Sequence, residues 1–377
     1  MHDSHERALK ALQARGRLRA LAPRRGIDFS SNDYLALGTS RELASAIAEA
    51  MERGVPVGAG GSRLLRGNDP EHEVLEAEAA DFFGAETALY MGGGFAANTA
   101  IFGTLPQRGD LIVHDELIHA SALDGMRISK AQSVAARHND ADVFRDTIRA
   151  WRNGGGMGRA WIAIESLYSM EGDTAPLSAF DRLAREEEAM LVIDEAHATG
   201  VFGPAGRGLG HALEGAPHVI SLHTCGKALG VMGALVLAPR TLRDFLVNRA
   251  RPFIYATAPS PLMAAGVRAA LRLAADAPER REALAQRIGH FGEALRARCG
   301  IAPTPTQIQP IIVKTDSRAT AIATALQQQG YDVRAVRPPT VPEGTARLRV
   351  SLTLNAGPDD ITSLVNAIAR ELERTTA

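Results

Sequence analysis

Cysteine is scarce in this chain. Its two cysteines, Cys225 and Cys299, form no metal-type pair and give little ground for an oxidising compartment. An excess of charge is also missing. A formal net charge of −1 at pH 7 removes the electrostatic case for nucleic acid or an anionic membrane surface as a partner. Long hydrophobic runs are lacking, and none approaches membrane-spanning length. The opening Met1-His-Asp-Ser-His-Glu-Arg7 has no apolar signal-peptide core. There is no internal repeat. These absences lead to the expectation of a cytoplasmic globular protein with neither nucleic acid nor membrane as partner. Hydrophobic content, 45%, is ordinary, and 377 residues suit two domains better than one core.

Along the chain, residues 3–20 are rich in Arg, Ala and Leu and predict a helix with Leu9 and Leu12 on one face, expected to dock. Residues 27–35 read as a short strand running into a polar turn. A helix is expected at 41–53 and another at 71–83. From about residue 70, helix alternates with short apolar strands, expected at 88–91, 111–114, 161–165, 190–194, 219–222 and 234–237. Continuous apolar runs suit strands buried on both faces. Their alternation with helices predicts an α/β domain on a mainly parallel sheet. A long helical stretch, 260–298, leads out of it. Strands at 308–313 and 348–352, with helices near 318–329 and 359–373, predict a smaller C-terminal α+β domain. The expected division is an N-terminal segment 1–40, a large domain 41–270 and a C-terminal domain 271–377.

The chemistry centres on Ser221-Leu-His-Thr-Cys-Gly-Lys-Ala-Leu-Gly230. Lys227 sits between small residues, directly after an apolar run. Lysines favour wet surfaces because burying an ammonium is costly. A desolvated one loses its proton more easily and can hold a carbonyl as a Schiff base. The bland alternative is a lysine in a surface turn. Gly92-Gly-Gly-Phe-Ala-Ala-Asn98 follows an expected strand and opens a helix. Such turns bind phosphate through free N–H groups and the helix dipole. The spacing is not Gly-x-Gly-x-x-Gly, which disfavours a dinucleotide. A second glycine-rich loop, Gly54-Val-Pro-Val-Gly-Ala-Gly-Gly-Ser62, reads as a connector or as a close approach to a ligand. In Leu191-Val-Ile-Asp-Glu-Ala-His197, Asp194 ends a buried strand, where open α/β sheets bind ligands. It suits a protonated heterocyclic nitrogen, and His197 is close enough in sequence to reach the same ligand. Metal ligation by Asp194, His197 and His114 or His119 is the alternative, without a recognised metal spacing. His211, His218 and His290 read as ordinary core or surface residues. A carboxylate for a pyridinium, a Schiff-base lysine and a glycine phosphate turn are together the fixings pyridoxal phosphate needs.

Asp194-Glu-Ala-His197 with Thr224-Cys-Gly-Lys227 resembles the α-oxoamine synthases, fold-type I pyridoxal-phosphate enzymes. The resemblance extends in order through Ser30-Ser-Asn-Asp-Tyr-Leu35, Gly60-Gly-Ser-Arg63, Gly94-Phe-Ala-Ala-Asn98, His119-Ala-Ser121, Ser169-Met-Glu-Gly-Asp173 and Arg347-Leu-Arg349. It implies a homodimer with its active site at the subunit interface, a large cofactor domain and a smaller C-terminal one. It also implies roles. Lys227 carries pyridoxal 5′-phosphate and moves a proton. Asp194 pairs with the ring nitrogen, His197 with the ring hydroxyl, and His119 stacks on the ring. Ser169 lines the ring's polar edge. Backbone N–H groups of Gly94 and Phe95, with the Thr224 hydroxyl, hold the phosphate, and Thr257 reaches the phosphate of the partner subunit. Arg349, with Asn32 nearby, binds an amino-acid carboxylate. No metal is implied. The stretch from Arg337-Pro-Pro-Thr to Arg349 is most similar to the branch that condenses L-alanine with a pimeloyl thioester, on CoA or on acyl-carrier protein. Glycine-using members and an aminotransferase are the alternatives on the same fold, and a non-catalytic ligand-binding protein is a third. The chain departs from many relatives at Gly93 and Ala256, where they carry serine.

Overall fold

The structure, a computed structural model, describes residues 2–21 and 23–375. Its strands run in chain order as β1 (Ile27–Asp28), β2 (Thr87–Met91), β3 (Leu111–Asp115), β4 (Gln132–Ala136), β5 (Ala160–Glu165) and β6 (Met190–Asp194). They continue as β7 (Val219–Thr224), β8 (Ala234–Ala238), β9 (Ile308–Lys314), β10 (Tyr331–Asp332), β11 (Arg334–Val336) and β12 (Ala346–Ser351). The chain divides into two compact units. One comprises Leu35–Ser169 and Thr174–Arg281. The other takes the chain up to Tyr34, Met170–Asp173 and everything from Glu282 onward.

The larger unit is built on a seven-stranded sheet in the order β2-β8-β7-β6-β5-β3-β4. β8 runs antiparallel to both its neighbours, and the remaining pairs are parallel. The six apolar strands expected from the sequence are all here, because each is covered on both faces. In β6, Met190 and Val192 join a cluster with Ile101, Phe102 and Met126. Leu191 and Ile193, one residue out of phase, join the opposite cluster with Phe144, Phe180 and Leu183. This period of two turns Asp194 toward the first cluster and its neighbour Glu195 away from it. β4 carries no apolar run and was not expected. It is an edge strand, and only its last residue, Ala136, is buried.

The expected continuous helix over 260–298 is two helices, Pro261–Asp276 and Pro278–Cys299. Pro278 has no N–H to donate and forces the preceding residue out of the α region. Ala277 accordingly sits at φ −116° and ψ 64°.

The smaller unit holds a three-stranded antiparallel sheet in the order β11-β12-β9. β1 pairs in parallel with β10, which ties the N-terminal segment to the C-terminal part of the chain. Arg17 adds ion pairs to Asp316 and Glu343. The N-terminal helix itself, Asp3–Ala14, buries none of its residues. Leu9 and Leu12, expected to dock, are exposed. Among the described residues, no helix is long and apolar enough to cross a membrane.

Candidate active site

The glycine turn after β2 leads into the helix Gly94–Thr104. The first bond of that helix runs from Ala97 N–H to Gly93 O at 3.0 Å. The N–H groups of Gly94, Phe95 and Ala96 therefore lie ahead of the helical ladder, at the positive end of the dipole. Thr224, the last residue of β7, closes against this end. A first side-chain carbon on Gly94 would lie 2.6 Å from the Thr224 Cγ2 methyl. The Thr224 hydroxyl donates to Ala196 O at 3.3 Å. Glycine is what lets the helix N-terminus come up against the end of β7, a place suited to a phosphate. Gly94→Ala is expected to overpack it, at a cost of about 1–3 kcal/mol, and to weaken cofactor affinity. Thermal unfolding and cofactor titration check both. Gly93 differs. Its φ of 165° is extended, and nothing lies within 4 Å of where its side chain would start. Gly93→Ser should fit without loss of stability and tighten cofactor binding in the same titration, since it adds a hydroxyl donor beside the N–H groups.

Asp194, at the end of β6, is 7% exposed. Its Oδ1 accepts from Ala196 N–H at 2.9 Å and its Oδ2 from the Asn98 amide at 2.8 Å. His119 caps the helix Ala120–Ile128, and its Nδ1 accepts from Ser121 N–H at 3.2 Å. The imidazole is solvent-accessible. The protein around it still holds its pKa below the ordinary histidine value. Desolvation is the first cause; the charge of Lys227 acts in the same direction and that of Asp194 opposes it. Asp194, His119 and Lys227 thus lie within electrostatic reach of one another. Lys227 is half-buried in a turn closed by backbone bonds: Cys225 N–H to Gly233 O, Gly230 N–H to Lys227 O and Val231 N–H to Cys225 O, each 2.9 Å. Gly230, at φ 69°, lets that turn pack directly on the backbone of Gly38.

Ser169 is buried, and its N–H donates to Glu165 Oε2 at 3.2 Å, at the end of the strand beside that of Asp194. His197 is buried in the turn after β6. Thr257 is exposed, as are Tyr255 and Ala256.

In the smaller unit, Arg349 and Asn32 are brought together. Arg349 is 8% exposed. Its Nη2 donates to Asn32 Oδ1 at 3.1 Å and its Nη1 to Ser351 Oγ at 2.6 Å. Tyr34 OH also donates to Asn32 Oδ1, at 3.0 Å. Arg347 lies two residues back on the same face of β12, and it does different work. Its guanidinium donates to Thr345 O, Met170 O and Glu171 Oε1 at 2.8–3.0 Å. It clamps the 170–173 segment. Arg337 is half-buried and donates to Thr320 Oγ1 at 3.3 Å and to the Gly16 carbonyl.

No group of three or more His, Cys, Asp or Glu among the described residues could hold a metal ion. His211, His218 and His290 each make a hydrogen bond away from the site, to Gly208 O, Asp181 and Thr362. Reading the sequence for single chemical groups missed Asn98 and Ser121, although both lie in the motifs that carried the resemblance.

This architecture, with a lysine and a carboxylate at the ends of adjacent parallel strands beside a helix N-terminus, is that of the fold-type I, pyridoxal-phosphate-dependent transferases. Residues 24–368 match the aminotransferase class I and II family. An 8-amino-7-oxononanoate synthase of Chromobacterium violaceum is 42% identical over 92% of this chain and 89% of its own length. One of Anaeromyxobacter dehalogenans is 39% identical over 97% and 94%. Among solved structures, an 8-amino-7-oxononanoate synthase of Francisella tularensis superposes with a TM-score of 0.78 at 28% identity, over 93% of this chain and 99% of that one. A serine palmitoyltransferase solved with pyridoxal phosphate gives 0.89 at 25% identity, over 100% and 98%. The chain belongs to the aminotransferase class I and II family and, within it, to the 8-amino-7-oxononanoate synthases. The residues present fit pyridoxal 5′-phosphate, with a helix N-terminus that only glycine lets close against Thr224 and a buried carboxylate within electrostatic reach of a lysine.

Proposed function

We propose that the chain condenses L-alanine with a pimeloyl thioester to 8-amino-7-oxononanoate, carbon dioxide and free thiol, a step of biotin biosynthesis. The observation that carries this reading is the convergence of Lys227, Asp194 and His119 in a chain that is 42% identical, over 92% of its length, to a synthase of that name. Pyridoxal 5′-phosphate, when bound, supplies the electron sink for a carbanion at the alanine Cα. The N–H groups of Gly94 and Phe95 and the Thr224 hydroxyl hold its phosphate. Asp194 keeps a proton on the ring nitrogen, and a pinned carboxylate does so without reorganising. His119 would stack on the ring, His197 would pair with its hydroxyl and Ser169 would line its polar edge. Lys227 Nζ would hold the cofactor covalently and would take the Cα proton of alanine. A C–C bond then forms to the thioester carbonyl and the C–S bond breaks. The carboxylate next leaves as carbon dioxide, and a proton returns to Cα from Lys227. The same reading makes the protein a cytoplasmic homodimer in which exposed Thr257 reaches the partner subunit's cofactor phosphate.

Arg349 binds the alanine carboxylate in this proposal. Its fork is planar, and two of its nitrogens are already fixed by Ser351 and Asn32. Lysine cannot copy that geometry. Arg349→Lys should raise the KM for alanine by roughly 10- to 100-fold, the range of a charged hydrogen bond, and leave the thioester KM nearly unchanged. Equal effects on both substrates would count against the role.

The substrate pair is tested by thiol release with alanine or glycine, crossed with pimeloyl-, acetyl- and succinyl-CoA. Alanine with the pimeloyl thioester should be preferred. A clear preference for glycine with a short acyl group would overturn the assignment and leave the cofactor chemistry in place.

A further inference from the structure

Asp194 and His119 are joined by two residues to which no chemistry has been given. Asn98 is 2% exposed and Ser121 1% exposed. The Asn98 amide nitrogen has two hydrogens, and both are used. One goes to Asp194 Oδ2 at 2.8 Å and the other to Ser121 Oγ at 3.0 Å. The Ser121 hydroxyl, accepting there, has its own proton left for His119 Nδ1, 2.7 Å away. Ser121 N–H points at the same nitrogen at 3.2 Å. His119 Nδ1 therefore meets two donors and acts as an acceptor, so the ring proton resides on Nε2.

The bond from Asn98 to Ser121 is possible because two helices touch backbone to backbone. A side chain on Gly125 would begin 2.9 Å from Asn98 O and 3.1 Å from Thr99 Cα. Gly125 brings the helix carrying Ser121 against the helix carrying Asn98, whose N-terminus forms the phosphate cradle.

We propose that Asn98 and Ser121 are positioning residues that set the Asp194 carboxylate and the His119 imidazole as one unit. Asn98, with Ala196 N–H on the other oxygen, fixes the plane of the carboxylate. Ser121 fixes the ring orientation of His119 and its neutral Nε2–H tautomer. The relay couples the group that stabilises charge on the cofactor ring to the group that lies against its face. It rests on the placement of both groups at the cofactor.

The test uses the full-length, cofactor-loaded protein and four variants: Asn98→Ala, Ser121→Ala, Ser121→Thr, and Asn98→Ala combined with Asp194→Asn. Asn98→Ala should shift the pH midpoint of the bound cofactor's absorbance and lower kcat by roughly 10- to 100-fold, with the thioester KM within about twofold. Ser121→Ala should act in the same direction but less, because the backbone N–H of Ser121 still meets His119. Ser121→Thr should restore the titration midpoint, since it keeps the hydroxyl. In the Asp194→Asn background, removing Asn98 should cost less than in the wild type, because the two act through one interaction. Lowered thermal stability with unchanged absorbance titration and unchanged kcat would mean a packing role only and would overturn the relay. So would additive losses in the double variant. The placement at the cofactor fails separately: it is lost if Lys227→Ala keeps borohydride-reducible cofactor attachment, whatever Asn98→Ala does.

Discussion

Lys227→Ala should lose nearly all turnover, with the rate of thiol release down by more than about 10³-fold. General acid–base catalysis alone contributes roughly 10²–10⁴, and this residue also anchors the cofactor covalently. The loss should be one of chemistry, not of folding. The turn around Lys227 is closed by backbone bonds among Cys225, Lys227, Gly230, Val231 and Gly233, none of which uses the lysine side chain. Thermal unfolding of the apo variant, measured beside the rate, separates the two. Phosphate and ring contacts should still retain some cofactor, released on dialysis. Borohydride treatment decides the point. Wild type should fix the cofactor irreversibly and the variant should not. A variant labelled to the wild-type level would place the attachment elsewhere and undo the assignment.

Asp194→Asn should leave the fold intact and slow carbanion formation by about 10²–10³-fold, the scale of removing one preorganised electrostatic group. The substitution keeps shape and removes charge. Its effect is sharpened by what already surrounds the carboxylate. Both oxygens of Asp194 accept hydrogen bonds, from Ala196 N–H and from the Asn98 amide. An asparagine offers one acceptor to two donors, so its NH2 must face one of them or turn toward the ring nitrogen, which it cannot hold protonated. The readout is the rate of Cα deuterium exchange from labelled alanine without thioester. A rate equal to wild type would remove Asp194 from the mechanism. No comparable loss is expected at Glu195, next in sequence. Its carboxylate faces the other side of the sheet and accepts from Leu209 and Gly210 N–H.

The core strands were legible because they are continuously apolar, and a run of that kind has nowhere to go but between two helical layers. β4 was not, since an edge strand with exposed Gln132 and Ser133 carries no such run. The break at Pro278 was written in the sequence, but periodicity on both sides masked it. The N-terminal helix showed the opposite failure. Its apolar face over Leu9 and Leu12 is real, and a face in the sequence does not say what covers it.

Of the site, Lys227, Asp194 and the turn at Gly94 could be read singly, because each is an unusual residue type at the end of an apolar run. Lysine, carboxylate and glycine are chemically distinctive wherever they occur, and the α/β pattern places strand ends on one edge. The sequence thus determined which groups are available and on which elements. Their mutual geometry was decided by packing. Asn98 meets Asp194 across 96 residues, at the end of β6, and Ser121 across 23, the latter through a helix contact that exists because Gly125 has no side chain. Arg347 and Arg349 are indistinguishable in a strand pattern, two residues apart on one face. Only the fold gave Arg347 to the carbonyl of Met170 and the carboxylate of Glu171, and Arg349 to Asn32 and Ser351. A buried polar group must find a partner. Which partner it finds depends on elements far apart in the chain, and no local pattern records that.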